Sequence, residues 1–234
     1  MHTKGFDSFV TSAYYEGVSD FRAALEAAGH SVEFQPNHVA AQCFPDTLEK
    51  LAAFDVVILS DIGANTLLIP PDTFTAAVER PNRLSALRAW VHGGGALAMV
   101  GGYLSFQGIE GKANYRSTVL AEVLPVELEL GDDREETPQG APCLKTALPH
   151  PITAELDASW PKLLGYQRLV AKPDAQVLAT IEIWPLLVTG DYGSGRVLAF
   201  ASDIGPHWVP PAFTEWPGYA KLWGSAASWL AKEI

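Results

Sequence analysis

The sequence predicts an α/β fold built on a mainly parallel sheet with helices on both faces. In the first half of the 234-residue chain, short apolar runs alternate with stretches whose apolar residues recur at helical spacing. Strands separated by helices form βαβ units, and such units build parallel sheets that are covered on both sides. A glycine pair directly after the apolar run Ala96–Val100 marks a sharp corner at the end of one strand.

The elements of the first half are predicted from the spacing of apolar residues and from turn residues. In the first helix, Phe21 and Leu25 share one face, and Gly29 ends the helix. The predicted helices are Val18–Ala28, Asp46–Ala53 and Asn82–His92. The predicted strands are Ser31–Phe34, Phe54–Asp61 and Ala96–Val100.

After Pro125 the pattern changes to short strand-like segments separated by turns. The glycines of Asp191–Arg196 predict a hairpin that leads into the strand Val197–Ala201, and helical spacing predicts a closing helix at Tyr219–Leu230. The other predicted strands are Val126–Leu130, Tyr166–Ala171, Gln176–Ile183 and Pro185–Thr189. Because no repeat or long linker interrupts the chain, residues 1–234 are expected to form a single domain.

The composition excludes several classes of partner. A net charge of −11 argues against nucleic acids and anionic membranes, which require clustered Lys and Arg. The acidic run Asp132–Glu136 is interpreted as a solvated loop. Cys43 and Cys143 lack metal-site spacing and suit a reducing compartment. Since no apolar run is long enough to span a membrane and the start is polar, the expected location is the cytoplasm.

Four blocks of the sequence together resemble a known family. They read GGGALAMVGGYLSFQGIEGKANYRST, HPIT, DYGSGRVLAFASDIGPHW and WPGYAKLW. The chain resembles the putative glutamine amidotransferase family, which is class I glutamine amidotransferase-like and related to trehalose-utilisation proteins. The resemblance covers nearly the whole chain. It implies a flavodoxin-like three-layer α/β/α fold with a site at the carboxyl edge of the sheet.

The start of the chain departs from that fold, which normally opens with a buried strand. Here the first residues are polar, so either this strand is missing or Gly5–Val10 substitutes for it. A missing strand would leave unpaired backbone in the sheet, which neighbouring chains or a rearranged sheet would have to satisfy. A homo-oligomer is therefore expected.

The corner after Ala96–Val100 carries the second departure. The segment Gly101–Ser105 occupies the frame of the nucleophile-elbow pattern Gly-x-nucleophile-x-Gly, but Tyr103 stands where the resemblance implies a cysteine. A phenol with a pKa of about 10 is a poor acyl acceptor at neutral pH. We therefore expect Tyr103 to plug the corner or contact a ligand rather than act as a covalent nucleophile.

The resemblance also suggests a catalytic histidine. In the family this histidine follows a strand beside the nucleophile strand, and His207 is the residue that matches it. Asp203 either orients His207 or caps the turn at Gly205. The alternative is that His207 is an ordinary loop histidine packed on Trp208.

The remaining candidate ligand contacts also lie at the carboxyl edge of the predicted sheet. Asp61 and Asn65 come at the end of the strand Phe54–Asp61 and could bind polar groups, although a plain strand-to-loop turn is the favoured explanation. The other candidates surround the corner and are Gly101, Gly102, Ser105, Gln107 and Trp208. The spacing of Asp61, Asp203 and His207 has no metal-site signature, so neither a metal nor a cofactor is predicted.

Three hypotheses for the function follow. The first is an amidotransferase-like protein that binds a small polar metabolite without cysteine-based glutaminase activity, as Tyr103 suggests. The second is an active hydrolase or amidotransferase in which His207 works with water or an atypical nucleophile. The third is a structural role in an oligomer, with a vestigial crevice. The first is the preferred prediction.

Overall fold

The computed structural model describes residues 16–234 in full, together with the backbone of residues 2–6 and 9–13. The strands in this part of the chain are β1 His2–Phe6, β2 Phe9–Ala13, β3 Val56–Ser60, β4 Ala96–Val100, β5 Val126–Glu127, β6 Arg134–Lys145, β7 Ser159–Gln167, β8 Val170–Ala171, β9 Gln176–Ile181, β10 Trp184–Tyr192 and β11 Gly195–Phe200. The α-helices are α1 Ser19–Ala27, α2 Asn37–Cys43, α3 Leu48–Leu51, α4 Ala64–Leu68, α5 Pro71–Ala76, α6 Arg83–His92, α7 Leu120–Val123, α8 Pro211–Thr214 and α9 Pro217–Leu230.

A seven-stranded sheet with the order β3-β4-β11-β10-β9-β6-β7 forms the centre of the molecule. β3, β4 and β11 are parallel, and Ala98 of β4 lies between Ile58 and Leu198. All five residues of β4 are buried, as expected for a strand covered on both faces. On one face, Trp223 of α9 packs edge-on against Phe21 of α1 at a ring-centroid distance of 4.9 Å.

This topology corrects the predicted fold class. Only three strands run parallel, whereas β10, β9, β6 and β7 continue the sheet antiparallel to their neighbours. The mixed sheet curls into a half-barrel and is not the mainly parallel sheet of a flavodoxin-like three-layer α/β/α fold. The physical reason is connectivity. Tight turns such as that between β10 and β11 reverse the chain, and a parallel pair would need a long crossover, usually a helix.

The individual elements agree with the sequence in part. The predicted strand at Ala96–Val100 has the observed bounds, and the predicted closing helix corresponds to α9. The predicted helix at Asp46–Ala53 shrinks to the four residues of α3. No strand is assigned at Ser31–Phe34, so that prediction is wrong. A strand needs a hydrogen-bonded partner, which sequence pattern alone does not guarantee.

Gly5–Val10 does not replace a first strand of the main sheet. Its described residues belong to β1 and β2, which pair with each other antiparallel in a separate two-stranded sheet. Residues 7 and 8 lie outside the described part of the chain. Among the described residues, β3 is therefore an edge strand that pairs only with β4.

The Asp132–Glu136 run is not a solvated loop. β6 begins at Arg134, and residues 134–136 pair with Gln167, Tyr166 and Gly165 of β7. Asp133 is fully buried. Charged residues therefore open the longest strand of the sheet, and Asp132 and Asp133, just before it, accept hydrogen bonds from the loop that follows β4.

No helix in the described part of the chain is both long and apolar enough to cross a membrane.

Candidate functional site

The centre of the candidate site is the corner at the carboxyl end of β4, residues 101–105. Gly101 has no room for a side chain, because a Cβ there would lie 2.3 Å from Oε1 of Gln167. Gly102 has a φ of +137°, which L side chains rarely adopt. The chain then continues through turns and a short 3₁₀-helix, Ile109–Gly111. Because no α-helix follows directly, the predicted strand–turn–helix elbow is not confirmed.

Gln167 fixes the backbone of the corner from β7. Its side-chain amide donates to the carbonyl of Gly102 and accepts from the N–H of the same residue. Gln167 is fully buried. Both polar groups of Gly102 are thus satisfied by one side chain, which holds the corner in place.

Asp61 crosses from the end of β3 to the same corner. Its Oδ1 accepts the backbone N–H of Leu104 at 2.6 Å, and its own N–H donates to Oγ of Ser105 at 3.0 Å. Ser105 is buried, so its hydroxyl serves this contact between loops. Asp61 has a φ of +47°, an uncommon conformation for a residue other than glycine.

Tyr103 is half-buried and surrounded by aromatic and charged side chains. Its ring centroid lies 5.3 Å from that of His207 and 5.8 Å from that of Trp208. The guanidinium carbon of Arg134 lies 4.5 Å from the centroid of the Tyr103 ring. Burial raises the pKa of the Tyr103 phenol, and the neighbouring Glu136 raises it further. The phenol is therefore neutral at physiological pH and unsuited to nucleophilic attack.

His207 and Asp203 form a pair of titratable side chains beside Tyr103. Nδ1 of His207 lies 3.8 Å from Oδ2 of the buried Asp203. This carboxylate raises the pKa of His207, whereas burial raises the pKa of Asp203 itself. His207 has a φ of +113°, so its position carries backbone strain. The structure thus brings Tyr103 together with His207 and Asp203, the predicted histidine and its candidate orienting carboxylate.

Trp208 forms a buried wall of the site. Its indole N–H donates to Oε2 of Glu136 at 3.0 Å. It also fills the space beside Gly165, where a Cβ would lie 2.2 Å from Nε1 of Trp208. Glu136 therefore contacts both aromatic residues of the site, although it was assigned to a solvated loop from the sequence.

The two aspartates before β6 hold the loop that follows the corner. Asp133 accepts the N–H of Gln107 at 3.0 Å and that of Gly108 at 2.8 Å. Asp132 accepts the N–H of Glu110 at 2.9 Å and forms an ion pair with Arg134. One feature of the sequence indicates this role. The glycine-rich loop after the corner has backbone N–H groups that need acceptors, and nearby carboxylates can supply them.

Two predicted ligand contacts are placed differently from the rest. The Oε1 of Gln107 accepts the N–H of Arg116 at 2.9 Å, so this buried amide organises the loop. Asn65 is exposed on α4, and no hydrogen bond in the described part of the chain joins its side chain to the corner. Asp61, Gly101, Gly102, Ser105 and Trp208 all lie at the corner itself.

Asp133 is expected to make the stability of the protein depend on pH. Burial raises its pKa to about 6, so between pH 4 and 6 the folded state binds more protons than the unfolded state. The free energy of unfolding should therefore fall as pH rises through this window, by about 2–3 kcal/mol for this group. Urea unfolding at pH 4, 5, 6 and 7 measures the effect. In an Asp133→Asn variant this contribution should vanish, and curves that stay parallel to those of the wild type would contradict the assignment.

Within the described residues, no group of three His, Cys, Asp or Glu side chains is arranged to hold a metal ion. Cys143 is buried, and burial raises the pKa of its thiol to about 12. Cys43 is exposed on α2. Neither thiol lies on a segment of the corner.

Comparisons with known proteins define the family. A family model described as Putative glutamine amidotransferase matches residues 1–232. The cytoplasmic protein STM1381 of Salmonella typhimurium LT2 is 47% identical, with a TM-score of 0.92 over 98% of this chain and 93% of its own. The cytoplasmic protein STM3548 of Salmonella typhimurium is 42% identical, with the same TM-score and coverage.

More distant structures share only the fold. A ThuA-like protein of Parabacteroides merdae is 15% identical, with a TM-score of 0.56 over 92% of this chain and 84% of its own. No curated protein matches the chain.

Proposed function

Since the chain belongs to the putative glutamine amidotransferase family, we propose that it binds a small polar molecule at the corner without cysteine-based glutaminase chemistry. The proposal needs no covalent step. The polar groups around Tyr103 supply hydrogen bonds, and the Tyr103 and Trp208 rings supply apolar contact. The two Salmonella relatives are cytoplasmic proteins, and we propose the same location here.

The surroundings of Tyr103 carry this proposal. A cysteine amidotransferase needs a thiolate, a neutral histidine that accepts its proton, and free N–H donors for the oxyanion. Position 103 has no thiol, and the pKa of its phenol is raised. The Asp203 carboxylate raises the pKa of His207, so this histidine holds its proton more tightly than a free imidazole does. The Leu104 N–H already donates to Asp61.

Ammonia release from glutamine tests the proposal directly. We expect no release above the buffer rate from the wild type or from a His207→Ala variant. Turnover that disappears in His207→Ala would overturn the proposal and indicate amidohydrolase chemistry.

A thermal-shift screen of small amines, amides and polyols tests whether the corner binds a small polar molecule. Compounds that raise the melting temperature of the wild type should lose this effect in Tyr103→Ala, which removes the half-buried ring at the centre of the site.

One observation favours a second candidate, hydrolysis by His207 and a bound water. His207 and Asp203 stand as a pair beside the corner, as such a reaction requires. The same assay separates the two functions. Hydrolysis by His207 and water would release ammonia in the wild type and not in His207→Ala, whereas a binding protein would release none in either.

A structural role in an oligomer has separate support, since Tyr103 is packed among Arg134, His207 and Trp208. The predicted homo-oligomer is tested by light scattering of the purified chain. A monomer at micromolar concentration would remove this candidate.

A further inference from the structure

The backbone N–H of Leu104 already has a carboxylate as its hydrogen-bond acceptor. It donates to Oδ1 of Asp61 at 2.6 Å, and Leu104 is the residue immediately after position 103. At a nucleophile elbow, the N–H in this position stabilises the oxyanion of the acyl intermediate. In this chain the carboxylate of Asp61 accepts that hydrogen bond instead.

The position of Asp61 is held by its surroundings. Its N–H is bound to the buried Ser105. Opposite the carboxylate stands Gly102, where a Cβ would lie 3.0 Å from Oδ1 of Asp61. The backbone of Asp61 adopts a φ of +47° to reach this place. The contact therefore joins two loops through a residue in an uncommon conformation, and it is part of the packing of the site.

We infer that Asp61 is a built-in anion at the oxyanion position, so the site rejects anionic ligands and binds a hydrogen-bond donor such as an amine, amide or hydroxyl. The ligand class rests on the proposed function, whereas the occupation of the Leu104 N–H does not. Asp203 lies close enough for Asp61 to affect its ionisation, and Glu136 contacts Tyr103. Positive charge also lies here, on Arg134 over the Tyr103 ring and on His207 when it is protonated. The carboxylate that excludes an anion is therefore the one at the Leu104 N–H, that of Asp61.

The variant Asp61→Gly tests the inference. Glycine tolerates the positive φ, so the loop should keep its path while the Leu104 N–H becomes available. Sodium sulfate is the anionic probe, and the amide signal of Leu104 in a ¹⁵N–¹H spectrum is the readout. We expect saturable sulfate binding in Asp61→Gly at millimolar concentration and at least a tenfold weaker effect in the wild type.

Two controls separate occupation from charge. Asp61→Asn keeps an acceptor oxygen for the Leu104 N–H but loses the charge, so it should bind sulfate no better than the wild type. Glu110→Gly removes a nearby charge from another residue with positive φ, which has no bond to the Leu104 N–H. It should also leave sulfate binding unchanged.

Methylammonium chloride tests the ligand class in the same samples. It should shift the amide signals of residues at the corner in the wild type. Its affinity for Asp61→Gly should be at least tenfold lower. If Asp61→Gly binds sulfate no better than the wild type, the built-in anion is refuted. If sulfate behaves as expected but methylammonium does not, the donor-ligand claim is refuted. Glutamine turnover by the wild type would instead refute the proposed function, so the failures are distinguishable.

Discussion

A Tyr103→Cys variant is expected to release no ammonia from glutamine, even though it places a thiol where the family resemblance implies a cysteine. The new thiolate would attack the carboxamide carbon, and the resulting oxyanion would need the Leu104 N–H, which donates to Asp61. The Asp61 carboxylate would also disfavour a second negative charge beside it. The measurement is coupled-enzyme detection of ammonia at neutral pH.

The double variant Tyr103→Cys with Asp61→Gly should gain this activity. With the N–H available, the thiol gives its proton to His207 and its sulfur adds to the amide carbon. His207 returns this proton as the C–N bond breaks and ammonia leaves, and water then hydrolyses the thioester to glutamate. One oxyanion donor is worth about 100-fold in kcat, so at least this ratio is expected between the double and single variants.

The matched control for the thiol is Tyr103→Ala with Asp61→Gly, which opens the same space without a nucleophile and should be inactive. Equal activity of Tyr103→Cys with and without Asp61→Gly would contradict the role given to Asp61. Inactivity of the double variant would show that another obstacle remains at the corner.

Replacing Gln167 by alanine should lower the free energy of unfolding by about 2–4 kcal/mol. The side chain is fully buried, and its amide serves both the N–H and the carbonyl of Gly102. Its removal leaves two buried backbone groups without partners and a cavity beside Gly101. Chemical denaturation monitored by circular dichroism measures the loss.

The control is Gln176→Ala, the same substitution on the exposed start of β9. This variant should change the free energy of unfolding by no more than about 0.5 kcal/mol. Similar losses in both variants would mean that the amide of Gln167 contributes nothing beyond an ordinary strand residue.

Local structure in the parallel part of the sheet could be predicted from the sequence. The apolar run Ala96–Val100 has the bounds of β4, and the face shared by Phe21 and Leu25 is buried in α1. These patterns are short-range consequences of side-chain size and polarity, so they can be identified without knowledge of the fold. Ser31–Phe34 has a similar pattern and no assigned strand, because pairing depends on residues elsewhere in the chain.

The sheet order lies beyond the reach of such patterns. The hairpin at Asp191–Arg196 was predicted, and each such reversal makes the next strand antiparallel. β6 was missed because its Pro, Gly and acidic residues are typical of loops. Its pairing with β7 and β9 supplies the partners that make this sequence a strand.

The candidate site likewise has features that the sequence determines and contacts that only the fold creates. The sequence by itself determined that residue 103 is a tyrosine after a glycine corner, and that His207 and Asp203 follow another strand of the sheet. Only the tertiary structure decided that Asp61 binds the Leu104 N–H, that Gln167 holds Gly102, and that Asp133 holds the next loop. These contacts join residues far apart in the chain, and a polar side chain acquires its partner only when the fold brings the unpaired backbone group within reach.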